Sequence, residues 1–255
     1  MKKCYRAMGI VCLLLSLFFA YLSIPQKALI GPPEVEKATA AATSYASHAE
    51  EMPEASDPID FEGLKDLNED IYAWICIPGT DINYPLLQSV IGDNDYYLTH
   101  SVDHREDENG CLFTEYLYSD LSFDIPVTVI YGHRRRSGDM FGSLQDLYSE
   151  AGSLEKYGTI LIYTPVKALN YRVICESEFS NVHIPTHYRL FQDNNAVLSF
   201  IEDVKSYHSL NRQNYDGAEI DASDRLLVLS TCLTRSDDQR FLVIARLTEE
   251  KEWIH

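Results

Sequence analysis

The feature that most constrains the fold is a pair of apolar runs near the C-terminus. Leu226-Leu-Val-Leu-Ser-Thr-Cys232 and Phe241-Leu-Val-Ile-Ala-Arg-Leu247 flank the polar stretch Leu-Thr-Arg-Ser-Asp-Asp-Gln-Arg240. Short apolar runs rich in branched residues and bounded by polar ones predict buried strands. Two strands joined by a short loop lie side by side. The thiol ending the first and the guanidinium starting the second are therefore expected to be neighbours. A cation beside a thiol favours the thiolate and can stabilise an oxyanion formed when that thiolate attacks a carbonyl. The plainer alternative is that Cys232 is a small buried apolar residue. A second feature is needed to decide, and Ile130-Tyr-Gly-His133 supplies it.

The rest of the chain shows the same texture. Phe61, Leu64, Leu67 and Ile71 fit one face of a short helix. Ala73 to Gly79 and Asp81 to Gln88 read as strands around a Pro-Gly-Thr turn. Gly110 to Tyr116, Pro126 to His133, Thr159 to Thr164 and Asn170 to Phe179 are further strands. Met140 to Tyr157 carries helical spacing, with Phe141, Leu144 and Leu147 on one face. Asn195 to Leu210 is an amphipathic helix with Val197, Phe200, Ile201, Val204 and Tyr207 on one stripe. Eight or so short strands with few helices predict a mainly β fold, a closed β-barrel with added helices.

The N-terminus is organised differently. Residues 1–6 are basic, and Ala7 to Ile24 is an uncharged run of 18 residues, just long enough to span a bilayer. The nearest small-residue cleavage site, around Ala38-Thr-Ala40, is distant, which favours an uncleaved anchor over a signal peptide. The flanking Lys2, Lys3 and Arg6 put the N-terminus in the cytoplasm and the remainder outside. Residues 25–58, rich in Ala, Ser, Thr, Glu and Pro, read as a linker, and residues 59–255 as the folded domain.

Composition excludes some functions. The net charge of −18 argues against nucleic acid, whose binding needs a basic face. The six cysteines form no zinc-ligand pattern, so neither metal nor cofactor is expected. Cys76, Cys111 and Cys175 lie in strand-like runs and read as buried residues, with a disulfide among them left open. Asp93-Asn-Asp95 lacks the glycine and distal glutamate of a calcium loop and reads as a turn. Arg134-Arg-Arg136 reads as solvated, or as a contact for anionic cell-wall material.

Several spaced motifs, in order, carry a family resemblance. Tyr131-Gly-His133 with Gly138-Asp-Met-Phe-Gly-Ser-Leu144, Leu229-Ser-Thr-Cys232, and Arg240-Phe-Leu-Val-Ile-Ala-Arg246 resemble a sortase. Trp74-Ile-Cys-Ile-Pro-Gly-Thr-Asp-Ile-Asn-Tyr-Pro85, Asp93-Asn-Asp-Tyr-Tyr-Leu98 with His100, and the long helix before the Cys232 strand resemble class B. The resemblance implies an eight-stranded barrel with an N-terminal helix and a long helix before the Cys232 strand. It implies a cysteine transpeptidase on the outer membrane face of Gram-positive bacteria. Such enzymes cut a C-terminal sorting signal after Thr through a thioester, then join that Thr to an amine, usually on a peptidoglycan precursor (lipid II). By motif, Cys232 would be the nucleophile, His133 the acid and base, and Arg240 the partner of signal backbone and oxyanion. Arg235 is the rival for the arginine role, and Arg240 is preferred because it directly precedes the Val-Ile-Ala strand. Asn94 and Leu98 would line the groove, with Ser230 or Thr231 beside the Thr of the signal. The stretch from Ser180 to Phe191 would hold the specificity loop.

Three other readings compete. A pilin-polymerising sortase is disfavoured because Asp57-Pro58 is followed by Ile, not by the aromatic of an inhibitory lid. A silent wall-binding module is disfavoured by the intact Cys232, His133 and Arg240. An L,D-transpeptidase would show a Ser-His-Gly-Cys core, where this chain has Leu-Ser-Thr-Cys.

Overall fold

The structure is a computed structural model that describes residues 59–206, 220–234 and 236–253. Eight strands close into one barrel. In chain order they are β1 (Ile71–Cys76), β2 (Asn83–Leu87), β3 (Leu112–Phe113), β4 (Val127–Tyr131), β5 (Thr159–Tyr163), β6 (Lys167–Ser180), β7 (Leu226–Leu233) and β8 (Ser236–Glu252). Around the barrel the order is β1-β2-β3-β4-β7-β8-β6-β5, and β5 pairs back onto β1. Most pairs are antiparallel, whereas β2–β3 and β4–β7 run parallel. The helices are α1 (Phe61–Leu67), α2 (Leu144–Tyr148), α3 (Ser153–Tyr157), α4 (Ile184–His187) and α5 (Asn194–Ser206).

The strands read as continuous apolar runs because both faces are covered. All six residues of β1 are buried. Ile75, Ile130, Ile162, Val173, Leu229 and Val243 fill the barrel interior. On the outer face, α5 lays Val197, Phe200, Ile201 and Val204 against Val129, Val228, Leu242 and Ile244. Elsewhere α1 packs Phe61 and Leu64 with Trp74, Tyr163 and Trp253. Lys167 lies between Asp124 and Glu250, with Nζ 2.9 and 2.6 Å from their carboxylates, and Arg225 pairs with the same two.

Several boundaries differ from the sequence reading, each for a local reason. The α1 helix is capped by Asp60, whose side chain accepts from the Gly63 amide at 2.9 Å. It stops at Asn68, which is extended (φ −157°), so Ile71 opens β1 instead of extending the helix face. The helical spacing over Met140 to Tyr157 resolves into α2 and α3, split by Gly152 in the left-handed region (φ 81°). Phe141 and Leu144 are buried as the spacing predicts. The strand predicted over Gly110 to Tyr116 keeps only Leu112–Phe113 in the ladder. The helix predicted over Asn195 to Leu210 is described as Asn194–Ser206, with Tyr207 and Leu210 outside the described residues. Among the described residues no helix is long and apolar enough to cross a membrane, and the Ala7 to Ile24 run lies outside them.

Candidate active site

The β7–β8 hairpin brings two of the expected residues together. In its antiparallel register Cys232 stands directly opposite Arg240. Facing residues of such a pair have Cβ atoms roughly 5 Å apart. The strand β8 begins at Ser236, four residues before the sequence reading placed it, so Arg240 lies within the ladder instead of at its edge. The register slips after Cys232, where Leu233 pairs with Ser236. The Thr234 amide beyond it donates to Gln145 Oε1 of α2 at 3.0 Å. That contact pins the turn. Arg240 is half-buried and its Nη1 donates to the Gln239 carbonyl at 3.2 Å. Arg235, the rival arginine, lies outside the described residues.

The parallel β4–β7 pairing supplies the third residue. Tyr131 is in register with Ser230, and the Gly132 amide donates to the Ser230 carbonyl at 3.2 Å. The chain therefore follows β7 up to His133. Only glycine fits at 132, because an added Cβ would meet Leu112 Cδ2 at 2.3 Å and Phe141 Cδ2 at 2.7 Å. His133 Nε2 lies 2.7 Å from the Leu98 carbonyl. A carbonyl only accepts, so Nε2 donates in this contact.

His133, Cys232 and Arg240 line one cavity of about 300 Å³. Leu98 (38% exposed), Ser230 and Thr231 also line it. Asn94 is not in this lining, and its side-chain oxygen accepts from the Leu117 amide at 3.0 Å. Val182 and Ile184, from the stretch expected to form a specificity loop, complete an apolar side. Asp93 and Asp95 form a turn, with the Asp95 amide donating to the Asp93 carboxylate at 3.2 Å.

Sequence reasoning missed the polar wall of this cavity. Glu115, 5% exposed, is gripped by His183 Nε2 at 2.9 and 2.8 Å from its two oxygens. Burial pushes the Glu115 carboxyl above its ordinary range, against the opposing pull of His183. Burial, followed by the Glu115 charge, raises the Tyr131 phenol well above its usual range. Tyr131 Oη faces the Glu115 carboxylate, and Thr231 Oγ1 is buried without a hydrogen-bond partner. The one available signal was an acidic residue inside the apolar run Cys111 to Tyr118.

The other described cysteines are of a different kind. Cys76, Cys111 and Cys175 are buried, and no disulfide links them. Burial pushes the Cys76 and Cys111 thiols up to about 12, which keeps them protonated. Cys232 is half-buried and opens onto the cavity. A thiol, an imidazole and a guanidinium around one groove can attack an acyl carbon, move the proton and stabilise the oxyanion.

No family model matches the chain. The sortase B of Listeria monocytogenes is 29% identical over 185 residues, covering 71% of this chain and 70% of that protein. The sortase B of Staphylococcus aureus is 26% identical over 190 residues, covering 73% and 74%. The crystal structure of Bacillus anthracis sortase B in complex with AAEK1 superposes with a TM-score of 0.66 at 27% identity, covering 85% of this chain and 97% of that one. The barrel order, the Cys232–Arg240 register and these likenesses agree in supporting a class B sortase, a cysteine transpeptidase associated with the cell envelope.

Proposed function

We propose that this enzyme cleaves a C-terminal sorting signal after Thr and transfers the protein to an amine of a peptidoglycan precursor. The observation that carries the reading is the single cavity shared by Cys232, His133 and Arg240. Cys232 Sγ attacks the Thr carbonyl carbon as its proton passes to His133. Arg240 holds the oxyanion and the signal backbone. The C–N bond breaks as His133 protonates the leaving amine, which leaves a thioester on Cys232. The incoming amine attacks that thioester, and its proton passes through His133 to the departing sulfur.

Leu98, Ser230 and Thr231 contact the bound signal. The unpartnered hydroxyl of Thr231 supports a polar ligand here, because buried polar atoms ordinarily find partners. The same reading assigns residues 1–6 to a cytoplasmic tail, 7–24 to a single-pass signal-anchor, 25–58 to a linker and 59–255 to an extracellular catalytic domain. Surface proteins bearing a sorting signal are the donors, and lipid II is the acceptor.

Mass spectrometry of the full chain in detergent tests this, using peptides of the Asn-Pro-x-Thr and Ser/Pro-Pro-x-Thr-Gly types. The expected result is a thioester adduct and cleavage after Thr, both absent in Cys232→Ala. A folded protein that forms no adduct with any peptide would return the weight to a pilin substrate or a silent module.

A further inference from the structure

A second cavity of about 380 Å³ adjoins the groove, and His133 lines both. Its other walls include Arg134, Arg135 and Arg136, with Glu108 the acidic residue among them. Three consecutive arginines are conspicuous on a chain of net charge −18. Their field is local, and it inverts the sign that an approaching anion meets elsewhere.

The arginines are held in place. The Gly138 amide donates to the Arg135 carbonyl at 3.1 Å, with Gly138 at φ 84°, and Arg134 bridges back to Met140. A Cβ on Gly142 would meet the Arg135 carbonyl at 2.3 Å, so the loop closes tightly on itself. The Met140 amide donates to the Tyr84 hydroxyl at 3.2 Å, tying the loop to β2. Arg135 is neutralised by Asp139 at 3.2 Å. Among the described residues, Arg134 and Arg136 pair with no carboxylate, and Arg134 Nε is buried without a hydrogen-bond partner. Two guanidinium groups thus remain available beside the imidazole.

We propose that this arginine cavity docks the anionic part of the amine acceptor, a phosphate or carboxylate group carried on the same molecule as the nucleophile. The proposal rests on the transpeptidase reading above and adds a place and a charge requirement for its second substrate. The acceptor reaches His133 from this second cavity. Its amine nitrogen bonds to the thioester carbonyl carbon, the C–S bond breaks, and the amine proton passes through His133 to the sulfur. Guanidinium groups suit both anions because their planar fork matches two oxygens at once.

The test uses the full chain in detergent, loaded with a sorting peptide as the thioester. Resolution is measured with ethanolamine, β-alanine and O-phosphoethanolamine, which carry the same kind of amine beside a neutral, a carboxylate or a phosphate group. Each rate is divided by that with hydroxylamine, so a general loss of activity cancels. The expected result is a preference of about tenfold for an anionic amine, since a charge-assisted contact at a partly buried site has this order. Arg134→Gln with Arg136→Gln removes that preference, and added salt weakens it. The ranking of phosphate against carboxylate names the anion. Equal use of the three amines overturns the proposal, as does a preference that survives the double substitution. It also fails if hydroxylamine resolves the thioester and none of the three amines does. Absence of the thioester itself would instead sink the transpeptidase reading.

Discussion

Substituting Gly132 by alanine tests how the His133 strand is seated. The glycine has no positive φ, so only space is at stake. The new methyl would lie 2.3 Å from Leu112 Cδ2 and 2.7 and 3.0 Å from Phe141 ring atoms, all in the barrel interior. Overpacking of this kind costs about 1–3 kcal/mol. For a domain of this size that corresponds to a Tm lowered by roughly 2–12 °C. The relief available is a shift of the 131–133 segment away from Leu112. This movement stretches the Gly132 amide–Ser230 carbonyl bond and displaces His133 from Leu98. A displacement approaching 1 Å at a reacting group costs up to about a hundredfold in rate. The assay pairs thermal unfolding with the rate of thioester formation. Leu112→Ala removes the nearest clashing atom and alone costs about 2–5 kcal/mol. In the double variant the two losses should fall short of their sum by about 0.5–3 kcal/mol. An alanine variant with wild-type Tm and rate, or strictly additive losses, would refute the close-packing argument.

Two further outcomes concern charge. Burial raises the Glu115 carboxyl pKa, so its contribution to stability is present below the ordinary value of about 4 and is lost as pH rises through the raised value. Glu115→Gln keeps an acceptor for His183 without the charge. Its Tm relative to wild type should therefore climb between pH 4 and pH 8, and a constant difference would contradict the assignment. The hydrogen bond from Lys167 holds the Asp124 carboxyl below its ordinary range. That stability is present above the ordinary value and is lost as pH falls through the depressed one. Lys167→Met should cost about 1–3 kcal/mol at pH 7, discounted for the exposure of Asp124. The deficit should shrink below pH 4 in acid unfolding curves, and a deficit independent of pH would remove the ion pair from the explanation.

Much of the barrel was legible because its strands are covered on both faces. Runs such as Leu226–Leu229 and Ile160–Tyr163 therefore announce themselves as apolar segments without needing alternation. Cys232 and Arg240 could be paired from the short connection between two runs. His133 needed the family motif, since nothing local in Tyr-Gly-His reports that β4 runs parallel to β7. The Glu115–His183 wall stayed hidden because its partners lie 68 positions apart and each looks ordinary alone. The split between α2 and α3 was masked by apolar residues that keep helical spacing across Gly152, whose backbone conformation overrides that spacing. β3 was overread because a strand-like composition extends beyond the two residues that find a partner.

The parallel pairing of β4 with β7 has a consequence for how the protein comes alive. In sequence, His133 and Cys232 are separated by β5, β6 and α5, so no local hairpin can assemble the groove. Parallel strands need a long crossover, and contacts of high sequence separation form slowly. Catalytic competence is thus a late event on the folding path, arriving only when the barrel seam between β4 and β7 zips shut. Until then Cys232 and His133 lie apart, and the cavity they line together is not formed.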